Sequence, residues 1–152
     1  MGNSQKKFLF ISISLVLYLA ALVLPSYHYH HLKDGYGNGL ECLAMGFCTT
    51  DFIKQSNNPF PFISWISNLP FVIGLIILIF SKKQKGFSNS FYFLFFSFIM
   101  SLGSLINYSN PAYYSFSPGI GCYVWIFSQV LLCAGAYSLK RQEKEVLTEL
   151  IA

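Results

Sequence analysis

Charged residues are scarce in this sequence. They make up 11% of the chain, while hydrophobic residues make up 54%, and an average soluble domain has about 25% charged residues. A soluble chain with so few charges would leave large apolar patches in contact with water and would aggregate. The composition therefore argues against an ordinary soluble domain and favours a membrane protein.

The sequence also lacks a basic stripe. The net charge is +4, but the Lys and Arg residues lie in short clusters next to apolar runs. Such clusters are typical of segments that flank a membrane span on its cytoplasmic side. We therefore expect membrane lipids and no nucleic acid among the partners.

Four apolar runs contain no Asp, Glu, Lys, Arg or His. Each run is about as long as a helix needs to cross about 30 Å of hydrocarbon, and none shows the alternation of a membrane β-barrel. The sequence predicts an all-α membrane protein, a four-transmembrane-helix bundle in one domain, 1–152. The predicted helices lie at about 8–25, 62–80, 90–107 and 119–140.

The lack of ionisable residues inside the runs also bears on function. Intramembrane charges usually mark proton relays and ion paths. Their absence argues against a proton-coupled transporter, a pump, or an intramembrane metalloprotease that works alone.

The positions of Lys and Arg predict the orientation. Eight of the ten lie at the N-terminus, between the second and third runs, or in the tail. Both termini are therefore expected in the cytoplasm of a bacterial cell, with a multi-pass chain in its inner membrane and a long outer loop at 26–61.

The tail, 140–152, has an amphipathic pattern. The first run has the basic start of a signal peptide, but its cleavage pattern around Ala20 and Ala21 is weak, so we expect a retained helix.

Polar residues inside the predicted helices allow two interpretations. Small and hydroxyl side chains promote helix packing in membranes, and the same side chains can line a polar pocket or substrate path. Asn68 and Gln129 would lose most free energy if buried without a partner, so they are the best candidates for a hydrogen-bonded centre. The intramembrane polar candidates are Ser67, Asn68, Ser101, Ser104, Ser128 and Gln129.

Closely spaced cysteine pairs are missing. Membrane thiol oxidases that reduce quinones use CxxC pairs, whereas the nearest pair here, Cys42 and Cys48, has five residues between its members. A structural disulfide among the outer cysteines Cys42, Cys48 and Cys122 is the milder interpretation, if the compartment is oxidising. Cys133 is expected to be a small packing residue.

Three histidines follow the first helix, at His28, His30 and His31. Grouped imidazoles can bind a transition metal, but no spacing here matches a zinc site. An interfacial belt of aromatic and imidazole rings explains them equally directly.

Three segments together resemble a known group of proteins. They read GLECLAMG at 39–46, WISNLP at 65–70 and GIGCYVWIFS at 119–128. They are similar to the pieces G-x-x-C-L-x-x-G, W-x-x-N-P and G-Y-x-x-W-x-x-S of uncharacterised small bacterial four-helix integral membrane proteins. Here Leu69 separates Asn68 from the proline, and Cys122 separates the glycine from the tyrosine.

The resemblance implies the four-helix fold and no activity. It implies that the motif residues gather at the outer side of the bundle, either as a site or as fasteners of the outer loop. The candidate outer-face cluster consists of Glu41, Cys42, Trp65, Asn68, Tyr123 and Trp125.

The sequence holds no assembled catalytic motif, so we expect a non-enzymatic accessory or interaction subunit. Its partners would be other membrane protein subunits or further copies in a homo-oligomer. One alternative is an outer-face thiol or metal site, or a lipid or quinone site, with metal or quinone as cofactor. Another is a small transporter or oligomeric pore that uses the polar faces.

Overall fold

The computed structural model of the chain describes residues 3–29, 36–45, 60–105, 108–110 and 114–151. This described part is mostly helical. Its helices include four segments long and apolar enough to cross a membrane, at 4–23, 62–80, 84–105 and 120–142. The prediction of four such helices is confirmed.

Helix α1, Asn3–Val23, ends where the sequence reaches a proline. Because the residue before a proline disfavours the helical conformation, Leu24 closes the helix, with its N–H 3.2 Å from the Ala20 carbonyl. Pro25 then begins strand β1, Pro25–Tyr29. Strand β2, Tyr36–Asn38, and the short helix α2, Gly39–Met45, follow.

The second spanning segment is kinked. It consists of helix α3, Phe60–Ile66, and helix α4, Asn68–Phe80, joined at Ser67. Pro70 lacks the N–H that would bond the Ile66 carbonyl, and prolines inside helices kink them for this reason.

The third spanning segment is helix α5, Gln84–Ser101, which continues as a 3-10 turn, Leu102–Leu105. It begins at Gln84 rather than near 90, because a helix can extend past its apolar run and keep Lys85 exposed. The fourth is helix α6, Ile120–Ile151, which takes in most of the predicted tail without a break.

A small antiparallel sheet lies at one end of the bundle. Strand β3, Tyr108–Asn110, and strand β4, Tyr114–Pro118, join the first two strands in the order β2-β1-β4-β3. The central pair aligns Tyr27 with Pro118 and Tyr29 with Phe116. The sequence analysis predicted helices and loops only. The strands were missed because they are short and because the central pairing, β1 with β4, joins segments distant in sequence.

The long helices form a ring in which α6 packs against both α1 and α5, and α5 packs against α4. Tyr18 of α1 stacks on Phe71 of α4 with ring centroids 5.1 Å apart, which closes the ring. The buried core is apolar, and it consists of Phe71, Leu78, Phe87, Leu94, Leu132, Cys133, Ala136 and Leu139. Large apolar side chains also cover the outside, as at Val16 of α1 and Phe127 of α6.

Candidate functional site

A hydrogen-bonded centre joins three of the long helices. The Ser97 hydroxyl of α5 lies 2.7 Å from the Ser67 carbonyl and 2.8 Å from Oε1 of Gln129 on α6. All three residues are fully buried. Because a serine hydroxyl carries one proton, it donates to only one of these oxygens at a time.

Gln129 is only partly satisfied there. Its Nε2 is buried and has no hydrogen-bond partner among the described residues. An unpaired buried N–H costs about 1–3 kcal/mol. Gln129 therefore has an N–H group in the bundle interior that is free to bind a polar group.

Other hydroxyls link the helices in pairs. Ser14 of α1 donates to the Ser128 carbonyl of α6 at 2.7 Å, and Ser90 of α5 donates to the Gly74 carbonyl of α4 at 2.8 Å. A Cβ at Gly74 would lie 2.7 Å from Leu94 Cγ, so the glycine allows this close approach. These are the contacts that helix packing in an apolar medium uses.

Three of the predicted polar candidates bond within their own chain segment. Ser101 donates to the Phe98 carbonyl and Ser104 to the Ser101 carbonyl, both at 2.7 Å. Ser128 donates to the Trp125 carbonyl at 2.6 Å. Their hydroxyl protons are thereby engaged with backbone.

Asn68 lies in a chain of hydrogen bonds across α1 and the kinked segment. Its Oδ1 accepts from the Tyr18 hydroxyl at 2.9 Å, and its Nδ2 donates to the Trp65 carbonyl at 2.8 Å. The Trp65 indole N–H in turn donates to the Leu43 carbonyl of α2 at 2.9 Å. Asn68 and Trp65 thus connect the bundle to α2.

Glu41 caps helix α2. Its carboxylate Oε2 accepts from the Asn38 N–H at 3.0 Å, and its own N–H donates to Asn38 Oδ1 at 2.8 Å. This reciprocal pair is a capping box, which satisfies two N–H groups at the start of the helix. The arrangement gives Glu41 a structural use within the candidate cluster.

Gly39 and Gly121, which lie in the motif segments, allow the backbones of α2 and α6 to approach the C-terminal end of α1 closely. A Cβ at Gly39 would overlap the Ala21 carbonyl oxygen, and the Gly39 N–H donates to the Leu24 carbonyl at 3.3 Å. A Cβ at Gly121 would lie 2.6 Å from Ser26 Oγ and 2.8 Å from the Leu24 carbonyl oxygen. Helices α2 and α6 therefore begin against the same few residues.

The described cysteines, Cys42, Cys122 and Cys133, are free thiols. Cys42 is half-buried on α2, and burial, assisted by the nearby Cys122 and Glu41, raises the pKa of its thiol to about 12. Cys122 is buried with Sγ 3.0 Å from the Ser104 hydroxyl oxygen. Cys48 lies outside the described residues.

The remaining candidates lie on α6, on β1 or outside the described residues. Tyr123 is 54% exposed, and Trp125 is half-buried. His28 is exposed on β1, while His30 and His31 lie outside the described residues. Among the residues that the structure describes, no cluster of three or more His, Cys, Asp or Glu has the arrangement to hold a metal ion.

Sequence reasoning missed Ser90 as an interhelical donor. Its position carried a signal, because it lies seven residues before Ser97 on the same helix and a buried hydroxyl needs an acceptor on a neighbouring element. It also missed the hydrogen bond from the Trp65 indole N–H to the Leu43 carbonyl of α2, because no local sequence pattern indicates such a contact.

Comparison with models of protein families, with curated proteins and with solved structures gives no match for this chain.

Proposed function

We propose that this chain is a multi-pass protein of the bacterial inner membrane that acts as a non-enzymatic interaction subunit. Its interaction surface is the cap, defined as strands β1–β4 and helix α2. The partner is another membrane protein subunit that contacts the cap at the outer face.

The distribution of charge supports this orientation. Among the described residues, lysines lie at the end of the bundle opposite the cap: Lys7 Nζ lies 2.6 Å from the Ile79 carbonyl and 2.9 Å from the Ser81 carbonyl. Lys140 lies over the rings of Phe91 and Tyr92, 5.2 and 4.9 Å from their centroids. Lysines at one end favour that end as the cytoplasmic one.

The main support for the interaction role is that specific contacts hold the cap against the bundle. A bundle needs only short connections to cross a membrane, as the turn at 81–83 between α4 and α5 illustrates. The cap is instead held by the Trp65 bond to Leu43 and by the backbone approach at Gly39. Ordered connections of this kind are where binding functions concentrate.

The capping and packing contacts also leave one face of α2 unused. Leu40 and Ala44 are exposed, and Leu40 is 57% exposed although it is apolar. These side chains are available to a partner at the outer face.

Purification in a mild detergent tests the proposal. We expect the full chain to bring down a stoichiometric membrane protein. Trp65→Phe, which keeps an aromatic ring of smaller size but removes the N–H donor to Leu43, should bring down less of it. Ser128→Ala is the matched control, because its hydroxyl bonds the backbone inside α6, away from the cap. Recovery of a lone monomer from the parent chain would argue against the interaction role.

A further inference from the structure

Two cysteines from different elements lie at one corner of the bundle. Helix α2 begins with Gly39, whose N–H donates to the Leu24 carbonyl, and Gly121, the second residue of helix α6, lies beside the same carbonyl. Cys42 is one helical turn after Gly39, and Cys122 directly follows Gly121. Because α2 and α6 both contact the Leu24 carbonyl, both cysteines lie near the C-terminal end of α1.

The two thiols also interact electrostatically. Charge on Cys122 contributes to the raised pKa of the Cys42 thiol, after the larger effect of burial. The Cys122 thiol is therefore close enough to Cys42 to affect its titration, which agrees with the backbone contacts that both elements make at the end of α1.

We propose that Cys42 and Cys122 form a reversible disulfide that fastens helix α2 to helix α6. This link goes beyond the interaction role and does not depend on any partner. It adds a covalent cross-link between α2 and α6 to the hydrogen bonds and packing that hold the cap.

A small-molecule disulfide, such as oxidised glutathione, is a sufficient oxidant. The thiolate of Cys42, the more accessible of the two, attacks one sulfur of that disulfide and releases one glutathione thiolate, which takes up the proton lost by Cys42. The Cys122 sulfur then attacks the Cys42 sulfur of the mixed disulfide. A second glutathione leaves and takes up the Cys122 proton. Two protein thiols are oxidised, and one glutathione disulfide is reduced to two thiols.

Cys133 is excluded as the partner of Cys122. It lies eleven residues further along the same helix, which is about 16 Å at 1.5 Å per residue. Disulfide-bonded cysteines have Cα atoms less than about 7 Å apart. Cys48 is the other cysteine that could pair with Cys42, so the experiment must distinguish a Cys42–Cys48 disulfide from a Cys42–Cys122 disulfide.

The test uses the full chain, purified in mild detergent, reduced, and then incubated with oxidised glutathione. Free thiols are alkylated, and the digested protein is analysed by mass spectrometry without reduction. We expect a linked peptide pair containing Cys42 and Cys122 in the parent chain and in Cys48→Ser. Dithiothreitol should restore both alkylated peptides. Cys133→Ser is the matched control and should leave the linked pair unchanged.

Two results would overturn the proposal. One is a Cys42–Cys48 link as the main product in the parent chain. The other is alkylation of both Cys42 and Cys122 after oxidation of Cys48→Ser. Either result leaves the interaction role open, because co-purification of a partner is measured separately.

Discussion

The side-chain amide of Gln129 lies in the bundle interior, where one of its two polar atoms has a hydrogen-bond partner and the other has none in the described part of the chain. Oε1 is within hydrogen-bond distance of Ser97, while Nε2 has no partner among the described residues. If this amide serves packing alone, an apolar side chain of similar length should replace it without loss.

The first prediction concerns this residue. Gln129→Met should keep the free energy of unfolding within about 1 kcal/mol of the parent, because it removes one hydrogen bond and one unpaired N–H together. Gln129→Ala should cost about 2 kcal/mol or more, since it leaves a cavity. Unfolding in detergent measures both. Equal destabilisation by the two variants would indicate instead that the amide binds a polar group.

The second prediction concerns the thiol of Cys42. With its pKa raised to about 12 by burial, the thiolate is a small minority at neutral pH. The thiolate population rises about tenfold per pH unit below the pKa. Alkylation of reduced protein by iodoacetamide should therefore keep accelerating between pH 7 and 10. A free cysteine peptide is the reference, and its rate should level off near its ordinary pKa. A plateau at the same pH for Cys42 would contradict its burial.

At the level of elements, the long helices were predictable and the strands of the cap were not. The length and the apolar composition of each run can be read directly from consecutive residues, so the helices could be predicted. Strand β1 depends on pairing with β4, whose residues lie far away in the chain, so no local pattern specifies it. The kink at Ser67 could be expected from Pro70, but the 3-10 turn after α5 had no comparable signal.

The candidate site divides in the same way. The motif residues Trp65 and Asn68 were singled out from sequence, and the structure connects them to each other and to α2. Tyr123 was singled out by the same resemblance, yet it is exposed on α6. Which of several interfacial aromatic residues bonds the backbone depends on tertiary approach, and composition does not encode it.

The third prediction concerns the attachment of α2. Gly39→Ala should loosen this helix, because the added Cβ overlaps the Ala21 carbonyl oxygen and overpacking of this kind costs about 1–3 kcal/mol. Hydrogen exchange of the amides in 36–45 should become about tenfold faster or more. Leu40→Ala is the control on the same helix, and its exposed side chain predicts little change. Equal exchange in the Gly39 variant and the parent would mean that the close approach is not required.

At the scale of the whole molecule, the two ends of the bundle differ in chemistry. One end carries Lys7, Lys82, Lys83 and Lys140, and the other carries the cap. The exposed apolar side chains between them match a lipid environment.

The fourth prediction concerns orientation in the membrane. In a variant without native cysteines, Leu40→Cys should react with a membrane-impermeant maleimide added to intact cells, after the outer membrane, where present, has been permeabilised. Lys83→Cys should react only after the inner membrane is opened, because its loop is expected in the cytoplasm. The reverse pattern would place the cap inside the cell and exclude an outer-face partner.

The most direct measurement is photo-cross-linking in the native membrane from a single position on the cap. A photoreactive amino acid at Leu40, which is 57% exposed, is compared with one at Val16, which is 65% exposed on α1. The account predicts a discrete protein adduct from position 40 and none of the same mass from position 16, which is expected to face lipid. Adducts from neither position, or the same adduct from both, would contradict the cap as the interaction surface.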